Sequence, residues 1–238
     1  MHSLRPSYRA LVIGATGGIG SAFVARLEAD PRCAAVVGLS RTSEPPLDHD
    51  RPDTLGAAAD ALRSQGPFQL ILCATGALHL RLPDGGEAQP EKRLAELDAQ
   101  TLAQAFAVNS IGPALVLRHF HALLPRDERA LFGVLSARVG SIGDNRKGGW
   151  YGYRASKAAL NMLVKTAAIE IARQRPLVAL AALHPGTVAT PLSARVIGID
   201  GPALAPAVAA DSMLAVLDGL KAEDSGCFRA WDGATLPW

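Results

Sequence analysis

Short apolar runs alternate with longer segments of helical periodicity along most of the chain. Five runs rich in Val, Leu, Ile and Ala predict buried strands, at 9–13, 34–39, 68–76, 130–135 and 177–183. A weaker run at 47–50 and a final one at 227–231 complete the predicted sheet. Between the runs, apolar residues recur at helical spacing over 21–29, 57–62, 94–124, 153–174 and 207–220. Apolar strands separated by helices predict an α/β fold, with a parallel sheet of about seven strands and helices on both faces.

Length and composition narrow the class of protein. A chain of 238 residues is within the range of a single α/β domain. Hydrophobic residues make up 49% of the chain and charged residues 19%, with 24 basic against 22 acidic side chains. This balance excludes a disordered chain and gives no basis for capturing nucleic acid, so we expect a small-molecule ligand.

The cysteines and the N-terminal residues indicate the compartment. Cys33, Cys73 and Cys227 are odd in number and far apart, which predicts reduced thiols rather than disulfides or a zinc site. His119 and His121 would point in different directions on a helix, so no metal site is predicted. Residues 1–9 lack the apolar segment of a signal peptide, and no run is long enough to span a bilayer. We expect a cytoplasmic protein that does not associate with membranes.

A glycine-rich turn lies between the first strand and the first helix. It contains Gly14, Gly18 and Gly20 together with Thr16 and Ile19. Glycines allow the backbone to approach a pyrophosphate closely, and the following helix presents its free amide groups and the positive end of its dipole. The order of strand, glycine turn and helix therefore predicts a dinucleotide site in a Rossmann-type, doubly wound domain.

The residues after the second strand indicate which dinucleotide is bound. Ser40 and Arg41 lie about twenty residues beyond the glycines, where the adenosine ribose is expected. An acidic residue there would hold the ribose hydroxyls of NAD, whereas Arg41, with Ser40 and Thr42, offers donors to a 2′-phosphate. This predicts a preference for NADP(H), with NAD(H) as the alternative. Asp48, in the weak third strand, is expected near the adenine ring.

Later strands end in small or polar residues that belong to the same edge of the sheet. Ligands of open α/β sheets bind at the carboxyl ends of the strands, so the cofactor is expected to meet Ala74, Thr75, Gly76, Pro185, Gly186, Val188 and Thr190, with Ser136 at the end of the fifth strand. Asn109 interrupts an apolar helix, so its amide either faces solvent or makes specific hydrogen bonds at a kink. The loops 78–90, 137–150 and 192–206 are expected to shape the substrate site, the last as a flexible lid.

Tyr153 and Lys157 form the most reactive pair in the sequence. They are four residues apart at the start of a predicted helix, which places them on one face. A tyrosine with a pKa near ~10 is a poor proton donor or acceptor at neutral pH, and a neighbouring ammonium favours its phenolate. The pair is suited to proton transfer, although the same spacing also occurs on helices without a catalytic role.

Taken in order, these motifs resemble the short-chain dehydrogenase/reductase family over residues 11–231. The resemblance rests on the glycine turn, on Asn109, on the Tyr153 and Lys157 pair, and on the Pro185 to Thr190 segment. The segments around Gly140 and Trp231 look most like the C-factor and sniffer-type carbonyl reductases. The resemblance implies one domain, with a cofactor-binding half at 9–135 and a catalytic and substrate half at 136–238.

The family also implies roles for individual residues. Tyr153 would donate a proton to the carbonyl oxygen, Ser136 would steady that oxygen, Lys157 would lower the tyrosine pKa and bind the nicotinamide ribose, and Asn109 would fix a water that relays protons. The expected function is NADP-dependent hydride transfer to or from a small apolar carbonyl or alcohol. Association into a homodimer or homotetramer is expected through the two long helices at 94–124 and 153–174.

The sequence departs from the family pattern at two places. Ala137 stands where the family places its catalytic serine, so either Ser136 reaches the substrate from a shifted strand end, or Ser141 replaces it, or a weaker donor serves. We favour Ser136. Cys73 and Ala74 also replace the family's two asparagines before Thr75. These departures leave an alternative, in which the chain binds NADP as a regulatory or signalling protein without efficient turnover.

Overall fold

The strands of the central sheet follow the apolar runs of the sequence. The computed structural model describes residues 1–82, 85–194 and 203–238. Six parallel strands form the sheet, β1 (Tyr8–Ile13), β2 (Cys33–Leu39), β3 (Leu70–Cys73), β6 (Ala130–Leu135), β7 (Val178–His184) and β8 (Cys227–Ala230). A separate antiparallel hairpin joins β4 (Leu80–Arg81) to β5 (Glu87–Ala88). These ranges confirm an α/β fold with a parallel sheet.

The order of the strands determines where a ligand-binding crevice lies at the edge of the sheet. The strand order in the sheet is β2-β1-β3-β6-β7-β8. The second strand therefore lies on one side of β1, and all later strands of the sheet lie on the other side. The carboxyl ends of β1 and β3 are therefore neighbours, and Ala74 N donates to Ile13 O at 2.8 Å. Such a switch in strand order opens a crevice at the carboxyl ends, where doubly wound folds bind their ligands.

Helices cover both faces of the sheet. They are α1 (Gly18–Glu28), α2 (Asp53–Ala61), α3 (Ala99–Phe106), α4 (Gly112–Phe120), α5 (Tyr151–Gln174) and α6 (Pro206–Gly219). Alternate residues of β1 show how the core divides. Leu11 and Ile13 pack into one buried cluster with residues of α2, α4 and α5, while Ala10 and Val12 pack into a second with α1 and α6. Both faces of a central parallel strand are buried, which explains its unbroken apolar sequence.

The predicted third strand is wrong. Residues 47–50 form no strand, and only Leu47 of this segment is fully buried. Pro45, Pro46 and Pro52 flank the segment, and proline cannot donate a ladder hydrogen bond, so an interior strand is disfavoured here. The Thr54 hydroxyl instead accepts from Asp48 N at 2.9 Å, just inside the start of α2. The sheet therefore has six strands rather than about seven.

One predicted helix has a different form in the structure, and one predicted loop lies partly outside the described residues. The predicted helix over 94–124 is divided into α3, a π-helical turn at Ala107–Ile111 and α4. The predicted lid at 192–206 lies partly outside the described residues, which resume at 203 and reach α6 at Pro206. No helix in the described ranges is long and apolar enough to cross a membrane.

Candidate active site

The glycine turn forms a close-packed cradle at the carboxyl end of β1. Gly14 has a φ of +85°, which favours glycine, and its amide donates to Leu39 O at 2.9 Å. A Cβ at Gly14 would lie 3.0 Å from Ala74 O, and a Cβ at Gly20 would collide with Gly14 O. Helix α1 follows from Gly17, which provides no side-chain cap for the first amides of the helix. These uncapped amides face the turn, as binding of an anionic pyrophosphate requires.

The segment after β7 packs against the start of α1. Thr190 lies over Gly18, where a Cβ would be only 2.6 Å from Thr190 Cγ2. Gly186 has a φ of +78° and packs against Trp231, while Val188 pairs with Leu204 through a parallel bridge. The structure thus brings Gly18 and Thr190, which are distant in sequence, into contact at one edge.

Ser40 and Arg41 lie beyond the end of β2. Ser40 is buried, and its hydroxyl accepts from Thr42 N at 3.2 Å. Arg41 is exposed and forms no salt bridge with any described residue. Asp48 accepts from Asp50 N and approaches Arg51 at 3.8 Å, so its carboxylate helps to order the segment before α2. An exposed guanidinium at this strand end is available to an anionic group.

Asn109 makes specific hydrogen bonds at a helical irregularity, one of the two alternatives that its position left open. It is fully buried in the π-helical turn between α3 and α4. Its Oδ1 accepts from Ala77 N and its Nδ2 donates to Ala77 O, both at 2.9 Å. A π-turn often marks a functional site in a helix. Here it holds the Gly76–Ala77 backbone at the crevice.

Lys157 is buried beneath the same crevice. Its side chain is 2% exposed, and its Nζ donates to Leu135 O at 3.0 Å. A Cβ at Gly76 would lie 3.2 Å from both Lys157 Nζ and Asn109 Oδ1, so the three residues converge. Burial lowers the pKa of Lys157 to about 8, and the nearby Cys73 thiol opposes this shift. The structure thus holds an ammonium where its charge is poorly solvated.

Tyr153 lies in the first turn of α5 and lines a small cavity with Asn109 and Ala77. Burial raises the pKa of Tyr153 to about 12, opposite to the shift expected from a neighbouring ammonium. The reason is that desolvation disfavours the charged phenolate. Tyr153 is therefore a protonated phenol at neutral pH, which is the form that donates a proton.

Ser136 is placed at the end of β6, but its hydroxyl is already engaged. It is 4% exposed and donates to Asn161 Oδ1 at 2.6 Å. A role in steadying a substrate oxygen therefore requires this hydroxyl to turn away from Asn161. Ser141 accepts from Asp144 N at 3.0 Å and donates to Trp238 O at 3.4 Å, which ties it to its own loop and to residue 238. Ala137 is buried beside them.

Two residues that the sequence analysis did not identify belong to the site. Asn161 lies one turn beyond Lys157. Its Oδ1 accepts a hydrogen bond from the Ser136 hydroxyl, and its Nδ2 approaches Gly140 O at 3.5 Å. Glu91 accepts from Gly152 N at 3.0 Å and lines the Tyr153 cavity. The spacing of Asn161 from Lys157 was a usable signal, because residues four apart share a helix face. Nothing local links Glu91 to a helix that begins 60 residues later.

The arrangement fits a nicotinamide dinucleotide. A Cβ at Gly20 would collide with the backbone of the cradle, and the first amides of α1 have no side-chain cap. Both features suit a bound pyrophosphate. The buried Lys157 and the half-buried Tyr153 lie in the other half of the crevice, where the redox-active ring of such a cofactor belongs. Within the described ranges, no three His, Cys, Asp or Glu side chains are grouped to hold a metal ion.

Comparisons with known proteins agree with this site. The family model for short chain dehydrogenase matches residues 8–197. The chain is 30% identical to 1-hydroxy-2-glutathionyl-2-methyl-3-butene dehydrogenase of Rhodococcus sp. strain AD45, over 96% of this chain and 98% of that protein. It is 35% identical to C-signal of Myxococcus xanthus, over 72% of this chain and 98% of that protein. C-signal confirms the resemblance to the C-factor branch.

A solved structure extends the likeness to three dimensions. A short-chain dehydrogenase/reductase from Burkholderia multivorans with bound NADP superposes with a TM-score of 0.77 at 26% identity, covering 98% of this chain and 100% of that chain. The matched family range includes the glycine cradle, Asn109, Tyr153 and Lys157. This chain belongs to the short-chain dehydrogenase family of NAD(P)-dependent oxidoreductases.

Proposed function

We propose that the protein is an NADP-dependent oxidoreductase that transfers a hydride between the cofactor and the carbonyl or hydroxyl group of a small, largely apolar substrate. The observation that carries this proposal is the convergence of Asn109, Lys157 and Gly76 beside the cavity that Tyr153 lines. NADP(H), when bound, supplies or accepts the hydride. The chain supplies the binding site, the proton and the exclusion of water.

Tyr153 is the proton donor in reduction. Its phenol is protonated at neutral pH because burial raises its pKa, so it gives its proton only as negative charge develops on the substrate oxygen. Lys157, whose ammonium is buried beneath the crevice, stabilises the resulting phenolate and binds the cofactor ribose. Asn109 fixes the Ala77 backbone and, through it, the wall of the site.

Charge at the end of β2 supports NADP as the preferred cofactor. Arg41 is exposed and has no salt bridge with a described residue, so its guanidinium is available to a 2′-phosphate. The bound NADP in the structure from Burkholderia multivorans supports the same choice. The roles of Ser40 and Asp48 toward the adenosine remain predictions.

A cleft beside the crevice supports a small substrate with apolar groups. Its volume is about 220 Å³, and its lining consists of Gly76, Ala77, Leu78, His79, Glu87, Pro191 and Leu192. The side chains of Ala77, Leu78, Pro191 and Leu192 are apolar, whereas His79 and Glu87 add polar groups, so the wall is mixed in character. A carbonyl compound of a few carbon atoms fits such a cleft.

Self-association through the long helices is part of the proposal, as is a cytoplasmic location. Ile111, Met162 and Ile169 are 52%, 67% and 54% exposed on the π-helical turn and on α5. Apolar side chains exposed along one helix surface are typical of subunit interfaces. Sedimentation of wild type against Met162→Glu tests this, since a dimer or tetramer would dissociate in the variant.

Cofactor binding and turnover together test the proposed function. NADPH and NADH are titrated into wild type, Arg41→Ala and the control Arg63→Ala, and NADPH oxidation is then followed with a panel of aldehydes and ketones. We expect tighter binding of NADPH than NADH, and we expect Arg41→Ala alone to reduce this preference, by about tenfold or more. Equal affinity for both cofactors, or no turnover with any carbonyl compound, would contradict the proposal.

A regulatory protein that binds NADP is the second candidate. It is favoured by the engagement of Ser136 with Asn161, by Ala137 at the family's serine position, and by the similarity to C-signal. Tight NADPH binding without oxidation by any carbonyl compound would support this candidate over the reductase.

A further inference from the structure

Glu91 holds the start of the helix that carries Tyr153. Helix α5 follows Trp150, which has a φ of +53° and provides no side-chain cap. Instead, Glu91 Oε2 accepts from Gly152 N at 3.0 Å, and Glu91 O accepts from Trp150 N. A carboxylate at this end of a helix is stabilised by the uncapped amides and the dipole. One carboxylate oxygen of Glu91, Oε2, therefore has a hydrogen-bond partner.

The other carboxylate oxygen has no partner. Glu91 is 5% exposed, and its Oε1 is buried without a hydrogen bond to any described residue. A Cβ at Gly152 would lie 2.9 Å from Oε1, so the helix start is fitted closely around this atom. Burying an acceptor without a donor is costly, and such a group in a native structure requires an explanation.

The space beside Glu91 suggests what that donor is. Glu91 lines a cavity with Tyr153 and Asn109, and the Asn109 amide hydrogen-bonds Ala77 through both Oδ1 and Nδ2. The cavity has a volume of about 10 Å³, enough for one water-sized group. The remaining lining has five apolar side chains, Ala77, Leu78, Leu80, Pro90 and Ala105, together with Gly152 and the polar residues Gln89 and Thr101. Among these lining residues, Glu91 is the one that carries a carboxylate.

We propose that Glu91 is a specificity-determining residue, whose Oε1 receives an O–H or N–H donor carried by the substrate beside its carbonyl group. This inference rests on the proposed function, because it assumes that the substrate carbonyl lies at Tyr153. The substrate class is a hydroxy-carbonyl or amino-carbonyl compound. A trapped water would offer the same donor chemistry, and the experiment below distinguishes the two sources.

The test compares ketones that differ only in a donor. Hydroxyacetone and butanone have nearly the same shape, with a hydroxyl in one where the other has a methyl group. Glu91→Gln is the decisive variant, because the glutamine carbonyl still accepts from Gly152 N while its NH₂ group replaces the free acceptor. Glu28→Gln, on the exposed surface of α1, is the matched control. The pair 4-hydroxy-2-butanone and 2-pentanone repeats the test with the hydroxyl one carbon farther away.

We expect wild type and Glu28→Gln to favour the hydroxyketone of at least one pair by about tenfold or more in kcat/KM. Glu91→Gln should lose this preference, so that its kcat/KM falls by about tenfold more on the hydroxyketone than on the plain ketone. Equal activity of wild type on both members of both pairs would mean that only water occupies the cavity, and would overturn the inference. So would an equal loss on both ketones in Glu91→Gln, which indicates a purely structural role.

A binding measurement separates this inference from the proposed function. Trp150 is adjacent to the site, with its ring centroid 6.4 Å from that of Tyr153, so its fluorescence reports ligand binding in the presence of NADP⁺. Tighter binding of a hydroxyketone than of its plain partner, lost in Glu91→Gln, supports the inference even if no ketone is reduced. In that case only the proposed reductase activity fails. Turnover without any difference in binding or kcat/KM would leave the function standing and refute the role of Glu91.

Discussion

The buried ammonium of Lys157 makes the stability of the protein depend on pH in a predictable direction. Lys157 is 2% exposed, donates to Leu135 O, and forms no salt bridge with a described residue. Desolvation lowers its pKa from 10.5 to about 8. Replacing it with methionine removes the titrating group and keeps a side chain of similar length.

The magnitude follows from the pKa shift. The shift of about 2.5 units corresponds to about 3 kcal/mol, since each unit is worth about 1.4 kcal/mol. The folded pKa lies below the unfolded one, so between pH 8 and 10.5 the unfolded chain binds more protons from this group. The free energy of unfolding of wild type therefore rises by about 3 kcal/mol as the pH increases from about 8 to 10.5. Below pH 8, this group makes almost no pH-dependent contribution.

Urea unfolding at pH 7 and pH 10.5 measures the effect in wild type and Lys157→Met. We expect the free energy of unfolding of Lys157→Met, relative to wild type, to fall by about 2–3 kcal/mol between the two pH values. Titrating groups that are distant from Lys157 are present in both proteins and largely cancel. Lys165→Met, an exposed position on the same helix, is the control. A difference between variant and wild type that does not change with pH would refute the reasoning.

Two further predictions concern the walls of the crevice. Asn109→Ala removes two buried hydrogen bonds to Ala77 and should lower the free energy of unfolding by about 2–4 kcal/mol in urea; a loss below about 1 kcal/mol would show that Ala77 finds other partners. Gly18→Ala places a Cβ 2.6 Å from Thr190 Cγ2 and should weaken NADPH binding about tenfold by calorimetry. Adding Thr190→Ser removes that methyl group and should restore the affinity, whereas a double variant as weak as Gly18→Ala would place the strain elsewhere.

Much of the scaffold was predictable because its signals are local. The strand at 130–135 has the predicted limits, and the glycine turn and the Tyr153 to Lys157 spacing each identify chemistry within a few residues. The mistaken strand at 47–50 shows where composition misleads, since one buried leucine between prolines does not make a strand. Elsewhere tertiary structure decides. The direction of the Tyr153 pKa shift depends on how deeply the phenol is desolvated by residues that are distant in sequence.

Glu91 and Asn161 illustrate the contacts that one-dimensional patterns hide. Glu91 contacts residues about 60 positions later, and no periodicity relates the two segments. Asn161 lies on the catalytic face of α5, but its hydrogen bond with Ser136 depends on how β6 meets that helix. Both contacts decide which donors and acceptors remain free in the site. A sequence pattern therefore points to the proposed catalytic pair more readily than to the distant residues that contact it.

The proton donor is the central claim, and Tyr153→Phe tests it most directly. The measurement is kcat/KM for NADPH-dependent reduction of the best carbonyl substrate, with NADPH affinity measured on the same samples. Tyr151→Phe, a partly exposed tyrosine on the same helix, is the control. We expect Tyr153→Phe to bind NADPH as wild type does and to lose about 10²–10⁴ in kcat/KM, while Tyr151→Phe keeps its activity. A Tyr153→Phe variant that retains wild-type turnover would contradict the account.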